Sequence, residues 1–172
     1  MSDANQRLIF CLECNGKNST TDKDYVSKII RYYYGVKPDY QPVYMDGKGN
    51  YKSIRTKRQI KKVEAFSSGM NIVIIYFIDM DGNPSSLRRV AQKELDEITT
   101  HCRENDYELI LFAKEIEDVL KIDNRSNKMK AAQEFIENPH FERIDEQDLR
   151  KTLPLTKAGQ SNILLVLDKY FK

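Results

Sequence analysis

The sequence predicts an α/β protein: a Rossmann-like, mostly parallel sheet with helices on both faces. Three observations carry that expectation. Apolar runs of strand length alternate along the chain with segments of helical period. The strongest run, Asn71–Ile78 (NIVIIYFI), is continuously apolar and β-branched, as a central strand covered on both faces must be. The 172 residues, 40% hydrophobic and 31% charged, suit one domain, 1–172. Its core is expected over about residues 7–122, with a C-terminal helical extension over about 123–172.

Each element has a local reason. Arg7–Glu13 (RLIFCLE) is a short apolar strand. Asp24–Tyr34 then places Val26, Ile29, Ile30, Tyr33 and Tyr34 on one helical face. Thr21 or Asp22 is expected to cap that helix, Gly35 to end it and Pro38 to prevent extension. Tyr40–Met45 reads as a strand. Arg55–Phe66 reads as a helix with Ile60, Val63 and Phe66 inward and basic residues outward. After the strand Asn71–Ile78, Asp79-Met80-Asp81-Gly82 makes a turn. Asn83 is expected to cap a helix that begins at Pro84, with Leu87, Val90, Ala91, Leu95, Ile98 and Cys102 as its buried stripe. A strand at Tyr107–Ala113, a helix near Asn127–Asn138 stopped by Pro139, and a helix at Ser161–Phe171 complete the chain.

Composition narrows the function classes. The longest uncharged run, Ala65–Ile78, has 14 residues, whereas a membrane helix needs about 20. No membrane association is expected. The start, MSDANQR, lacks the basic-then-apolar profile of a secretory signal. Three cysteines, Cys11, Cys14 and Cys102, do not suggest a disulfide scaffold. These features predict a cytoplasmic protein. Cys11 and Cys14 have CxxC spacing but no second pair, and both read as structural. His101 and His140 have no partner motif.

Charge is distributed unevenly. Lys48, Lys52, Arg55, Lys57, Arg58, Lys61 and Lys62 share one segment that contains no acid, while Glu94–Asp123 is rich in acids. A basic helix face is commonly just a solvated face. It also suits a phosphate backbone, and Tyr51 would offer a ring for an unpaired base. Lys52, Arg55, Lys57 and Arg58 are the candidate nucleic-acid contacts there, joined by Arg88 and Arg89 one turn beyond the DxD.

Parallel sheets bind ligands beyond the carboxyl ends of their strands. Two strands end there in acid, one at Glu13 and one at Asp79-Met80-Asp81. Extended geometry would turn Asp79 and Asp81 to the same side. Carboxylates gathered in one pocket repel unless protonated or bridged by a cation, and Mg²⁺ is a hard ion suited to carboxylate oxygens. The helix expected at Asn83-Pro84 would add N-terminal amides for a phosphate. Asp-x-Asp-Gly is equally ordinary turn chemistry, and both readings stand at this point.

The segments LIFCLE, ending at Glu13, and IVIIYFIDMD, ending at Asp79 and Asp81, together resemble the Toprim domain. That module occurs in topoisomerases, bacterial primases, OLD-type and RloB-like nucleases and ribosomal-RNA maturases. The resemblance covers about residues 7–122. It implies Mg²⁺ (or Mn²⁺) at Asp79 and Asp81, with Glu13 assisting proton transfer or metal binding in phosphodiester cleavage. Cys14-Asn15 precede Gly16 here, where many members have Gly directly after the Glu. Likeness to the OLD-type branch adds Glu117, with Glu115 next, as a further acid and Lys157 as a C-terminal lysine. Glu115–Asp118 also reads as an ordinary acidic helix start.

The resemblance therefore implies a metal-dependent nuclease acting on DNA or RNA, with Glu13, Asp79, Asp81, Glu117 and Lys157 as catalytic candidates and the four acids as metal ligands. A phage-defence effector working with a partner ATPase is the role it suggests, and the sequence leaves a homodimer open. Two alternatives stand beside it. IIYFIDMDG resembles the DxDG motif of haloacid-dehalogenase-like phosphatases, in which Asp79 would be nucleophile and Asp81 acid–base partner. A non-catalytic Toprim-like module that binds nucleic acid or protein is the other.

Overall fold

The computed structural model describes residues 5–123 and 127–172. Its strands are β1 (Gln6–Leu12), β2 (Gln41–Tyr44), β3 (Asn71–Asp79) and β4 (Glu108–Phe112). The α-helices are α1 (Thr21–Tyr34), α2 (Ile54–Phe66), α3 (Arg89–Glu104), α4 (Ile116–Val119), α5 (Lys128–Glu137) and α6 (Ile163–Phe171). All four strands run parallel in the order β2-β1-β3-β4, flanked by helices, the Rossmann-like α/β architecture that the alternation predicts. β3 lies inside the sheet, as its unbroken apolar run requires.

Strand alternation divides the core in two. Leu8, Phe10, Ile75, Phe77 and Ile110 face α1 and the C-terminal helices, where they meet Val26, Ile29, Phe135 and Leu164. Ile9, Cys11, Tyr76, Ile78 and Leu109 face α2 and α3, against Ile60, Leu95, Ile98 and Cys102. Segments beyond residue 127 thus complete one face of the sheet. No described helix is long and apolar enough to cross a membrane.

Both edges of the sheet are occupied by side-chain amides. On β2, Pro42 has no N–H to offer, and Gln59 of α2 both donates to the Tyr44 carbonyl (3.0 Å) and accepts its N–H (3.3 Å). On β4, Asn162 accepts the Leu111 N–H and donates to the Leu109 carbonyl, each at 2.8 Å. Ser161 adds a bond to the Leu111 carbonyl at 2.7 Å. This use of Ser161 and Asn162 delays α6 to Ile163, two residues past its expected start.

Four local expectations are corrected. Asn83 and Pro84 open only a three-residue 3-10 turn, Pro84–Ser86. Leu87 and Arg88 are extended and α3 begins at Arg89, because Leu87 folds back onto Gly82 before the helix can start. Val90 is consequently exposed, and the buried stripe starts later. Phe66 is exposed as well: the chain turns at Ser67, whose buried hydroxyl binds the Val63 carbonyl at 2.8 Å and takes the inward place. Thr20 is the N-cap of α1; its hydroxyl donates to the Asp24 carboxylate at 3.0 Å and caps no backbone N–H, and Asp22 is engaged elsewhere. Gly35 ends α1 as expected, in the left-handed conformation.

Candidate functional site

Beyond the carboxyl ends of β1 and β3 the chain builds a cleft of about 410 Å³. Glu13 is the first residue after β1, and its carboxylate accepts the Asp79 N–H at 2.7 Å, which staples two strand ends together. The Asp79 carboxylate accepts the N–H of Ile116, first residue of α4, at 2.9 Å. Glu117 follows on the same short helix. From α1 comes Asp22, held by the Cys14 N–H at 2.9 Å. The loop between them is ordered by Asn15, whose side-chain oxygen accepts the N–H groups of Lys17 and Asn18 at 2.9 and 2.8 Å. Gly16 (φ +75°) must be Gly, since any β-carbon would collide with the Tyr44 ring.

Glu13, Asp22, Asp79 and Glu117 all line this cleft, with Lys128 among the other wall residues. The first three also line a void of about 10 Å³, close to the size of one water. Among the described residues no ion pair reaches Glu13, Asp22 or Asp79, while Glu117 meets Lys128 at 3.4 Å. Burial pushes the Glu13 carboxyl up to about 8, against the opposing pull of the Asp79 N–H and Lys48. Asp79 is held well above the usual carboxylate range by burial and then by the charges of Glu13, Asp22 and Glu117. Burial also raises Asp22 and Glu117.

Two buried polar atoms here, Glu117 Oε2 and Tyr25 Oη, have no partner among the described residues. Tyr25 stands close enough to Glu117 and Asp22 for their charges to raise its hydroxyl further above its ordinary value, beyond the effect of burial. Orphaned polar groups of this kind call for water or an ion.

Of the expected site residues, Glu13, Asp79 and Glu117 come together and Asp81 stays outside. Strand geometry stops at Asp79, Met80 is buried on the other face, and Asp81 turns into the left-handed region at φ +54°. Its carboxylate is taken by Lys48, whose ammonium also donates to the Asp79 carbonyl at 2.9 Å. The shared side expected for Asp79 and Asp81 is thereby lost. Glu115 pairs with Lys128 at 3.4 Å. Lys157 is not among the cleft-lining residues; it is largely exposed, 3.8 Å from Asp148.

Among the candidate nucleic-acid contacts, Lys52, Arg55, Lys57 and Arg58 are exposed on and just before α2, and Arg88 and Arg89 are exposed where α3 begins. Arg55 lies 3.6 Å from Asp46, a cleft residue, so the basic helix starts at the cleft rim. Tyr51 offers no stacking ring. It is buried, packs edge-on against His101, and its carbonyl accepts the Tyr76 hydroxyl.

Sequence reasoning missed Asp22, Lys48 and Lys128. Asp22 was legible only as a cap and Lys48 only as one member of a basic run. Nothing in the local pattern marks Lys128.

As they stand, no three described Asp, Glu, His or Cys side chains surround one point closely enough to hold an ion. The donor set still suits a hard divalent cation: carboxylates half-buried or, for Glu117, fully buried, mutually repelling, one with an oxygen that has no partner among the described residues. Compared with known proteins, the chain matches no family model, no curated protein and no solved structure.

Proposed function

We propose that this protein is a divalent-metal-dependent phosphodiesterase acting on nucleic acid, with a Toprim-like arrangement of acids. One observation carries the reading. Carboxylates from the ends of β1 and β3 and from α4 meet in one cleft at the ligand-binding end of a parallel sheet, and Glu13 and Asp79 have no ion-pair partner among the described residues. Asp79 and Glu117 would hold Mg²⁺ or Mn²⁺, which when bound offsets their charge and that of a phosphate and activates water.

The chain's own groups supply the rest. Glu13, whose burial favours its protonated form, is placed to give a proton to a leaving oxygen. The Ile116 N–H fixes the orientation of Asp79. Lys128 in the cleft wall and Arg55 at its rim offer cations to a phosphodiester chain that would continue along α2. A phosphatase using Asp79 as nucleophile and Asp81 as its acid–base partner fits less well, because Asp81 is tied to Lys48 outside the cleft.

The test is cleavage of single- and double-stranded DNA and RNA with Mg²⁺ or Mn²⁺, comparing wild type with Asp79→Asn and Glu13→Gln. Each substitution should lower the rate about 100-fold or more. Metal binding with phosphomonoesterase activity and no nucleic-acid cleavage, or a trapped aspartyl phosphate, would replace this reading with the phosphatase. Nucleic-acid binding without cleavage or metal uptake would replace it with a binding module.

A further inference from the structure

The arrangement of acids departs from the one that the sequence implies. We infer that Asp22, on the first turn of α1, is the third carboxylate of the cation site with Asp79 and Glu117, in the place that the sequence assigns to Asp81. The inference rests on the metal-dependent reading above and specifies its ligand set.

Asp22 lines both the cleft and the water-sized void beside Asp79. Its visible bond is an acceptance of the Cys14 N–H, a role that a neutral Asn or Ser fills equally well at a helix start. What Asp adds at this position is a charge. That charge is carried in a half-buried site where Asp79 and Glu13 feel it as repulsion; Lys128 in the cleft wall offsets it in part, but no described lysine or arginine forms an ion pair with it. A buried charge without a partner is expensive unless a cation completes it.

Independent observations point to a ligand at the same place. Glu117 is 4% exposed at its side chain, lines the same cleft, and leaves Oε2 without a partner among the described residues. The buried Tyr25 hydroxyl near Asp22 and Glu117 likewise has no partner among the described residues. By contrast, Asp81 is half exposed and already neutralised by Lys48, a lysine with only 11% side-chain exposure. That lysine also binds the Asp79 carbonyl and stands 3.9 Å from Glu94, so it belongs to the frame and leaves Asp81 little reason to exchange it.

The test measures Mn²⁺ binding to the full chain by loss of the free-ion electron paramagnetic resonance signal, in wild type, Asp22→Asn, Asp22→Ser and Asp81→Asn. Far-ultraviolet circular dichroism confirms that each variant is folded, and both Asp22 substitutions keep an acceptor for the Cys14 N–H. Wild type and Asp81→Asn should bind alike, and both Asp22 variants at least tenfold more weakly. Wild-type binding retained by the folded Asp22 variants overturns the inference, as does a loss confined to Asp81→Asn. Failure of the wild type to bind Mn²⁺ is a separate result that overturns the metal-dependent reading itself.

Discussion

Glu13 shows how much one side chain at a strand end can do. It locks β1 to β3 through the Asp79 N–H and, through burial, resists ionisation up to about 8. An acid whose carboxyl is raised by folding keeps its proton in the native state after the unfolded chain has released it. Stability is therefore full below its ordinary value of 4.5 and declines as pH rises towards 8. Asp79, Asp22 and Glu117, all raised, act in the same direction. In metal-free buffer the melting temperature should fall by about 3 °C or more between roughly pH 6 and pH 8.5. Added Mn²⁺ should recover that loss at the higher pH, because the ion replaces the missing protons. A thermal scan at both pH values, with and without the ion, checks it.

At the same scale, the acids were legible where strand ends announced them and illegible where tertiary structure placed them. Glu13 and Asp79 follow apolar runs, so their position could be read directly. Asp81 could not, because the alternation that would align it with Asp79 ends one residue too soon. Asp22 looks like a helix cap in any local window, and only folding brings it beside Asp79.

Among the elements, the strands were the most readable, since burial on both faces leaves long apolar runs. The helix ends were not, because a turn competes with a cap wherever Ser, Asn and Pro cluster, as at 83–86. The edges of the sheet were unreadable too: nothing in the pattern announces that Gln59 and Asn162 stand in for missing strands. Asn162→Ala removes two buried bonds to β4 and strands a buried N–H and carbonyl. It should cost about 2–3 kcal/mol by urea denaturation. Phe66→Ser, on an 83% exposed residue, should change stability by less than about 0.5 kcal/mol, although periodicity places Phe66 in the core.

For the whole molecule, the uneven charge seen in the sequence survives folding in part. The basic residues of α2 stay exposed and begin at the rim of the acidic cleft, while Lys48 leaves that group to bind Asp81. A polyanion lying on α2 would release counter-ions in proportion to the phosphates contacted. Lys57→Ala with Arg58→Ala should weaken binding of single-stranded DNA or RNA across sequences and lower the slope of log K against log salt by about 1–2. Filter binding at several salt concentrations reads both quantities. An unchanged slope would separate α2 from the substrate path.

The plugged edges of the sheet also set rules for company. A parallel sheet with two open margins recruits strands from other chains, and such recruitment is how many proteins swap segments or seed fibrils. Here the outward groups of Tyr44 and much of those of β4 are already answered from within the same chain. Two copies would therefore have to meet through helices and loops, keeping separate sheets. Release of Gln59 or Asn162 is the event that would make this protein adhesive.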